Sequence, residues 1–392
     1  MISTMTAPGQ TAGLSVFMDP LINELGIDRV AISMSYLIGT LVGAAAQPFI
    51  GRASDRWDVR YVIVVIALAF AAILMTLSFV TDVLGLTFGF VGVRMAGQGA
   101  LSLAVTTAVS RAIVHRRGLA LGISAAIGSA GISLAPILLE RVIDAVGIQA
   151  TFRWEALAVV VLVIPAALVM MKPTVTRVTD TSPAPIVTGY TSKQAVRTPM
   201  FWVLSAAVGT TSMLGTALAF HQIALLGERG LTPFEAAANF LPQTITALLA
   251  TLVVGALIDR IDPRIIMVIA MAAMAGSLVL VSFVSPGWMA IVYGLVFGSA
   301  GGMLRGMEAA SFARYYGVAA IGAIRGISGS VTLGASALGP IMLAVGADLA
   351  GGFALPSLIF AAIPVAVLIA AIIVPQPHPI PPRPEEATRP SR

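Results

Sequence analysis

GRASDRWDVR at 51–60 and GALIDRIDPR at 255–264 decide how this chain is read. Both stretches hold a glycine, two aspartates and two arginines at the same places, 204 residues apart. The same spacing returns elsewhere. GLALGIS (118–124) agrees with GAIRGIS (322–328) at four of seven positions, and Glu24 and Gly26 map onto Glu228 and Gly230. Separated matches at one offset mean a duplicated chain. Parallel repeats in a membrane protein place a pseudo-two-fold axis along the membrane normal and a site between the halves.

The sequence around these loops is strongly apolar. Of 392 residues, 58% are hydrophobic and 10% charged, and the mean hydropathy is +0.96. Soluble domains run near ~25% charged, so an ordinary soluble enzyme, a disordered chain and a collagen-like chain are excluded. The absence of cysteine rules out disulfides, thiolate metal sites and thiol nucleophiles. His115, His221 and His378 are too scattered for a zinc motif. No metal or cofactor is expected.

A hydrocarbon core of ~30 Å needs ~20 apolar residues per helix. Spans are expected at 30–50, 61–80, 84–107, 119–139, 154–171, 199–224, 232–254, 265–284, 288–311, 320–345 and 352–374. A twelfth is expected in Met1–Leu25, shortened: span seven opens near Pro199, whose equivalent at the repeat offset precedes residue 1. The fold class is therefore an all-α membrane protein of twelve transmembrane helices, the first shortened, in two pseudo-symmetric six-helix bundles. Continuous rather than alternating apolar runs argue against a β-barrel.

Lysine and arginine orient the spans. If the 51–60 loop is cytoplasmic, 17 of the 23 basic residues lie on that side, four (Arg29, Arg141, Arg153 and Arg229) lie outside, and Arg94 and Arg305 fall within spans. Both termini are then cytoplasmic, as in a bacterial inner-membrane protein. The pI near 10.0 reflects this bias, and no nucleic-acid partner is expected. The expected organisation is an N-terminal bundle 1–171, a linker 172–198, a C-terminal bundle 199–374 and a proline-rich cytoplasmic tail 375–392.

Gly51-x-x-x-Asp55-Arg56-x-x-x-Arg60 resembles the loop signature of the major facilitator superfamily, Gly255-x-x-x-Asp259-Arg260-x-x-x-Arg264 resembles its second copy, and Arg94-x-x-Gly97-x-Gly99 resembles its span-four motif. At finer grain, Arg94 with its glycines, Arg117-Gly118-x-Ala120-x-Gly122-Ile123 and Phe201-Trp202 resemble the monocarboxylate-porter and oxalate–formate-antiporter branch. The resemblance implies rocker-switch transport, with Asp55 and Asp259 latching helix ends across the halves. The alternative for these residues is simple positive-inside anchoring. The chain departs from the family in two ways. Asp58 and Asp262 stand where a second glycine is common. Span eight, where the branch places basic ligands, has none, and neither has span one; span eleven has no lysine. That argues against a dianion such as oxalate.

Polar residues within spans are expensive and mark pathways or partners. Arg94 suits a carboxylate; its other reading is a hydrogen-bonded anchor of span four against span one. Arg305 and Glu308 share one face of span ten. They either neutralise each other or form a switch, in which a protonated Glu308 frees Arg305 for an anion. His221 is a second proton-coupling candidate; the bland alternative is a satisfied histidine. Further expected substrate contacts are Gln243, Asn239, Gln98, Tyr36 and Gln10. Gly51 is expected to let the chain leave span two tightly, and the glycines of spans five, ten and eleven to let helices pack closely.

The expected function is a secondary active transporter of a small organic anion, a monocarboxylate, coupled to a proton or an exchanged anion and working as a monomer in the bilayer. No phosphate-binding G-x-x-x-x-G-K-[ST] occurs. No paired catalytic constellation occurs either, so it is not expected to be an enzyme. The alternatives are an exporter of a drug-like or hydrophobic solute, or a non-transporting sensor on the same fold. Solute identity and direction of flow are not legible in the sequence.

Overall fold

The computed structural model describes residues 2–112, 117–170, 189–258, 260–317 and 320–377; the side chains of 47–56, 110–112, 117–122, 170 and 309 lie outside that description. The described chain is helical throughout, apart from one isolated bridge between Gly189 and Gly317. Ten helical stretches are long and apolar enough to cross a membrane. One of them, Ile123–Val169, has 47 residues. At ~1.5 Å per residue it would reach ~70 Å, about twice a hydrocarbon core. It breaks at Gly147, whose φ of 80° and ψ of 169° no helix contains, so it makes two crossings and the described residues hold eleven such passes.

The expected first span forms three short pieces rather than one helix: Thr4–Gly9, Thr11–Ser15 and Met18–Leu25. Pro8 lies inside the first piece and removes a donor. Gly9 presses on the span-four backbone, where an added Cβ would meet Val93 O at 2.4 Å.

The duplication appears in the backbone. Gly26 and Gly230 have φ of 62° and 86°, and Gly147 and Gly351 have φ of 80° and 69°. Each pair is 204 residues apart. Glu24 accepts from Gln149 Nε2, while Glu228 accepts from Phe353 N at 2.9 Å, so the repeat conserves even the partner's position. These turns share one end of the bundle, called here the far face. The opposite end holds the Asp58 and Asp262 turns and is called the basic face.

One expectation about the loop motifs, that Gly51 is a helix exit, is corrected, and its repeat equivalent Gly255 is placed the same way. The Arg29–Arg56 helix runs through Gly51, and Gly255 lies inside the Phe240–Leu257 helix, so neither glycine is a helix exit. The turns come later because Asp58 and Asp262 start the next helices. Each carboxylate accepts a backbone N–H two residues on, from Arg60 at 3.0 Å and Arg264 at 2.9 Å. The side chains of Asp55 and Arg56, and residue Asp259, lie outside the description, as do most of the 172–198 linker and the 375–392 tail.

The halves meet where Arg29–Arg56 packs on Ile321–Ala350 and where Arg117–Pro165 packs on Phe240–Leu257. One hydrophobic core joins both halves toward the far face; a second belongs to the C-terminal half near the basic face, around Met200, Phe201, Phe312 and Tyr316. Large apolar side chains such as Phe88, Leu84 and Leu252 are exposed on the outside, as helices bathed in lipid require.

Candidate functional site

A cavity of about 440 Å³ lies between the halves. The C-terminal half supplies most of its lining, including Thr211, Gln243, Arg305 and Glu308; Ala12 and Ser133 come from the N-terminal half. Toward the far face the halves are tied together. Arg29 lies over the Phe353 ring at 5.6 Å, Arg141 over Phe234 at 4.6 Å, Tyr36 packs on Phe220 with centroids 4.5 Å apart, and Ser133 hydrogen-bonds Thr244. Toward the basic face space opens. A Cβ on Gly322, Gly326, Gly329 or Gly334 would meet nothing within 4 Å. These four span-eleven glycines therefore face open space instead of packing, contrary to expectation, whereas Gly339 of the same helix presses on Met213 O, which an added Cβ would meet at 2.1 Å. Span ten does pack as expected: a Cβ at Gly298 or Gly302 would strike the carbonyls of Gln243 or Ala247 at 2.0 and 2.3 Å.

Arg305 projects into this cavity and makes no hydrogen bond or ion pair with any described residue. Of the two readings left open for Arg305 and Glu308, mutual neutralisation is not seen among the described residues. Glu308 Oε1 instead pairs with Arg325 Nη2 of the next span at 3.7 Å. On one helix face Arg305 and Glu308 are in register, but Arg325 reaches the carboxylate from the side. An uncommitted guanidinium within a membrane domain needs water or an anion.

The amide candidates form a buried chain beside the cavity. Gln243 Nε2 donates to Gln222 Oε1 and Asn239 Oδ1, both at 2.9 Å, Gln222 donates to Ala236 O, and Asn239 donates to Ala290 O. Gln243 lines the cavity, while Asn239 does not. With Asn239 committed to the backbone of span ten, it holds Gln243 in place rather than facing the void.

Arg94 is elsewhere. It is 3% exposed, and its guanidinium donates to Thr40 Oγ1 and Gly9 O at 3.1 Å while lying 4.5 Å from the Tyr36 ring centre. Tyr36 in turn shares a 2.6 Å hydrogen bond with Thr11. Arg94 and Tyr36 therefore anchor span four to the broken first helix, the second of the two readings the sequence left open. Neither lines the cavity. Gln10 bonds Thr6, and Gln98 Oε1 is buried without a partner; both also lie off the cavity lining. His221 is buried, and its Nε2 donates to the Pro340 carbonyl at 2.9 Å while Nδ1 has no partner.

At the basic face, Arg60 chelates Asp58 through Nε and Nη2 at 2.8 to 3.2 Å. This guanidinium holds the Asp58 carboxyl below the usual carboxylate range, outweighing the opposing desolvation. In the second copy the partners differ. Asp262 takes the Tyr315 hydroxyl and Gln376, and Arg264 turns to the carbonyls of Ile372 and Val374. Arg260 is exposed. Sequence reasoning missed Glu155, a buried carboxylate whose Oε2 has no partner; its signal was a lone acid on the apolar stripe of span six.

Comparison with known proteins agrees with this architecture. An oxalate:formate antiporter from Oxalobacter formigenes is 25% identical over 222 residues, 53% of this chain and 50% of that protein, so the matched region spans half the curated relative. A crystal structure of a bacterial homolog to the human lysosomal transporter Spinster, inward-facing and occupied, superposes with TM-score 0.74 at 14% identity over 95% of this chain and 94% of that one. A mutant of the nucleoside transporter NupG gives 0.74 at 14% over 95% and 98%. These likenesses establish the fold. The Major Facilitator Superfamily model matches residues 1–242, and with that match over more than half of its length the chain belongs to the Major Facilitator Superfamily, a family of transporters and not of enzymes.

Proposed function

We propose that this secondary transporter carries a small organic monoanion, a monocarboxylate, by rocking its two bundles (1–171 and 199–374) about the central cavity, with a proton as the coupled partner. The carrying observation is the uncommitted Arg305 guanidinium in that cavity. A planar fork with five donors matches a carboxylate in two parallel hydrogen bonds. One uncommitted cation among the described cavity residues suits one negative charge, and Phe240, Met274, Phe297 and Leu304 in the same lining suit an apolar body rather than a second carboxylate. The distant oxalate:formate antiporter supports an organic anion as the class. The positive-inside bias supports placing the basic face in the cytoplasm, with both termini there and the cavity open inward. Because the cavity lies wholly within one chain, the monomer suffices.

A second reading is kept by the apolar walls: export of a hydrophobic solute, for which Arg305 would be incidental. Uptake of labelled lactate and of a longer monocarboxylate into proteoliposomes separates the two. Removing a charged hydrogen-bonding partner costs ~1.5–3 kcal/mol, so Arg305→Gln is expected to raise the half-saturation for a carboxylate ~10- to 100-fold while sparing uptake of a neutral lipophilic probe. Unchanged carboxylate uptake in the variant overturns the reading.

A further inference from the structure

Among the described residues, three charges border the cavity between spans ten and eleven. In Trp288–Tyr316, Gly301, Arg305 and Glu308 follow at i, i+4 and i+7, and all three line the cavity. In Ile321–Ala350, Arg325, Gly329 and Thr332 follow at the same spacing. Thr332 lines the cavity, and a Cβ on Gly329 would meet nothing within 4 Å. Arg325 therefore continues this open face of span eleven toward the basic side, where its Nη2 reaches Glu308 Oε1 at 3.7 Å.

Arg305 turns the other way. A Cβ on Gly301 would meet its Nη1 at 3.4 Å, so the guanidinium folds back over that glycine. Span ten runs from the far face at Trp288 to the basic face, where Tyr315 meets Asp262. Folding back therefore carries the guanidinium deeper into the cavity. Glu308 lies ~4.5 Å nearer the basic face along the helix axis, at ~1.5 Å per residue. A solute entering from the basic face passes the Glu308–Arg325 pair before it reaches Arg305.

At 3.7 Å the pair is too long for a hydrogen bond, and the side chains of Arg325 and Glu308 are 45% and 28% exposed. Such an open pair adds little to stability. Its effect is on charge. Arg305 and Glu308 are the charged residues of the described lining, and by themselves they cancel. Arg325 restores one positive unit. Arg314, further along span ten, turns to the carbonyls of Ile258 and Ile261 instead. A monoanion on Arg305 leaves the group neutral. A dianion leaves a second carboxylate uncompensated and facing Glu308. Repulsion built in this way separates two solutes that the same cation attracts.

We propose that Glu308, balanced by Arg325, is the specificity-determining residue of this cavity: it holds the site at one net positive charge and so rejects dianions in favour of monoanions. The proposal rests on the monocarboxylate reading of the same site and adds what excludes doubly charged relatives of such a solute. Arg325 is a positioning residue that acts through Glu308. Without Arg325 the cavity loses its attraction for any anion; without Glu308 it gains a second positive unit and welcomes a dianion.

The chain lacks cysteine, so Thr332→Cys places a single reporter on the cavity lining. Its rates of reaction with a negatively and a positively charged methanethiosulfonate, in nanodiscs without any solute, give a ratio that follows the local charge. On that background Glu308→Gln is expected to raise the anionic-to-cationic ratio ~10-fold and Arg325→Gln to lower it as much. The double variant is expected to return within about twofold of the parent, because its net charge is the same. In proteoliposomes at pH ~7.5, propionate carries one charge and malonate two. Competition against labelled lactate is expected to favour propionate in the parent and in the double variant, and to move ~10-fold toward malonate in Glu308→Gln. A Glu308→Gln labelling ratio like the parent's, an unmoved preference between propionate and malonate, or a double variant displaced like either single one overturns the proposal. If the labelling ratios move as expected and neither acid competes, the monocarboxylate reading fails and the charge setting stands.

Discussion

At the scale of single residues, two arginines inside the membrane have opposite fates. Arg94 is surrounded by Thr40, Gly9, Thr11 and the Tyr36 ring, whereas Arg305 faces a cavity with no partner among the described residues. The first is fitted to hold helices and the second to meet a solute. Arg94→Ala strips donors from buried acceptors and leaves a void, each worth ~1–3 kcal/mol, so thermal unfolding in detergent is expected to drop by several degrees. Half-saturation in the surviving protein should stay within about twofold, against a shift of ~10-fold or more for Arg305→Gln. A large change in half-saturation with intact stability would return Arg94 to the list of ligands. Both arginines were visible in the sequence as charges within apolar runs, and their spacing said nothing of which was committed. Arg94's partners lie 54 to 85 residues away in the chain, a separation that local patterns do not encode.

At the scale of elements, the aspartates that depart from the family's loop signature have a local purpose. Asp58 and Asp262 cap the helices Val59–Leu77 and Pro263–Leu280, and loss of such a cap costs ~0.5–2 kcal/mol. Asp58 sits below the ordinary carboxylate range because Arg60 binds its charged form. Its contribution is therefore fully present above the unfolded value near ~3.9 and fades as pH falls through the lower folded value. Melting followed from pH ~5 to ~3 is expected to fall more steeply in the parent than in Asp58→Asn; equal slopes would remove Asp58 from the acid sensitivity. An aspartate just ahead of a new apolar run is a legible start signal.

At the scale of the whole molecule, far-face ties and a basic-face opening define one arrangement of the two halves. Gly329→Cys, whose side chain would enter open space, is expected to react with a charged thiol reagent added on the basic face. Gly339→Cys, whose Cβ would strike Met213 O at 2.1 Å, is expected to fold poorly or stay unreactive. Protection of Gly329→Cys without added solute would mean that the resting protein is closed at this end. The repeated turns at Gly26 and Gly230 and at Gly147 and Gly351 give each half the same far-face corners, so one rigid rotation of one half against the other breaks few contacts within either. By itself the sequence determined the membrane class, the number of apolar crossings after the first and the duplication, because hydropathy and repeat spacing are properties of neighbours along the chain. Tertiary structure alone decided which charges are neutralised, which glycines face emptiness, that Glu308 turns to Arg325, and that Glu155 is sealed among hydrocarbon. Those outcomes depend on which helix lies beside which, and in a bilayer that choice is made by packing and buried hydrogen bonds rather than by hydrophobicity.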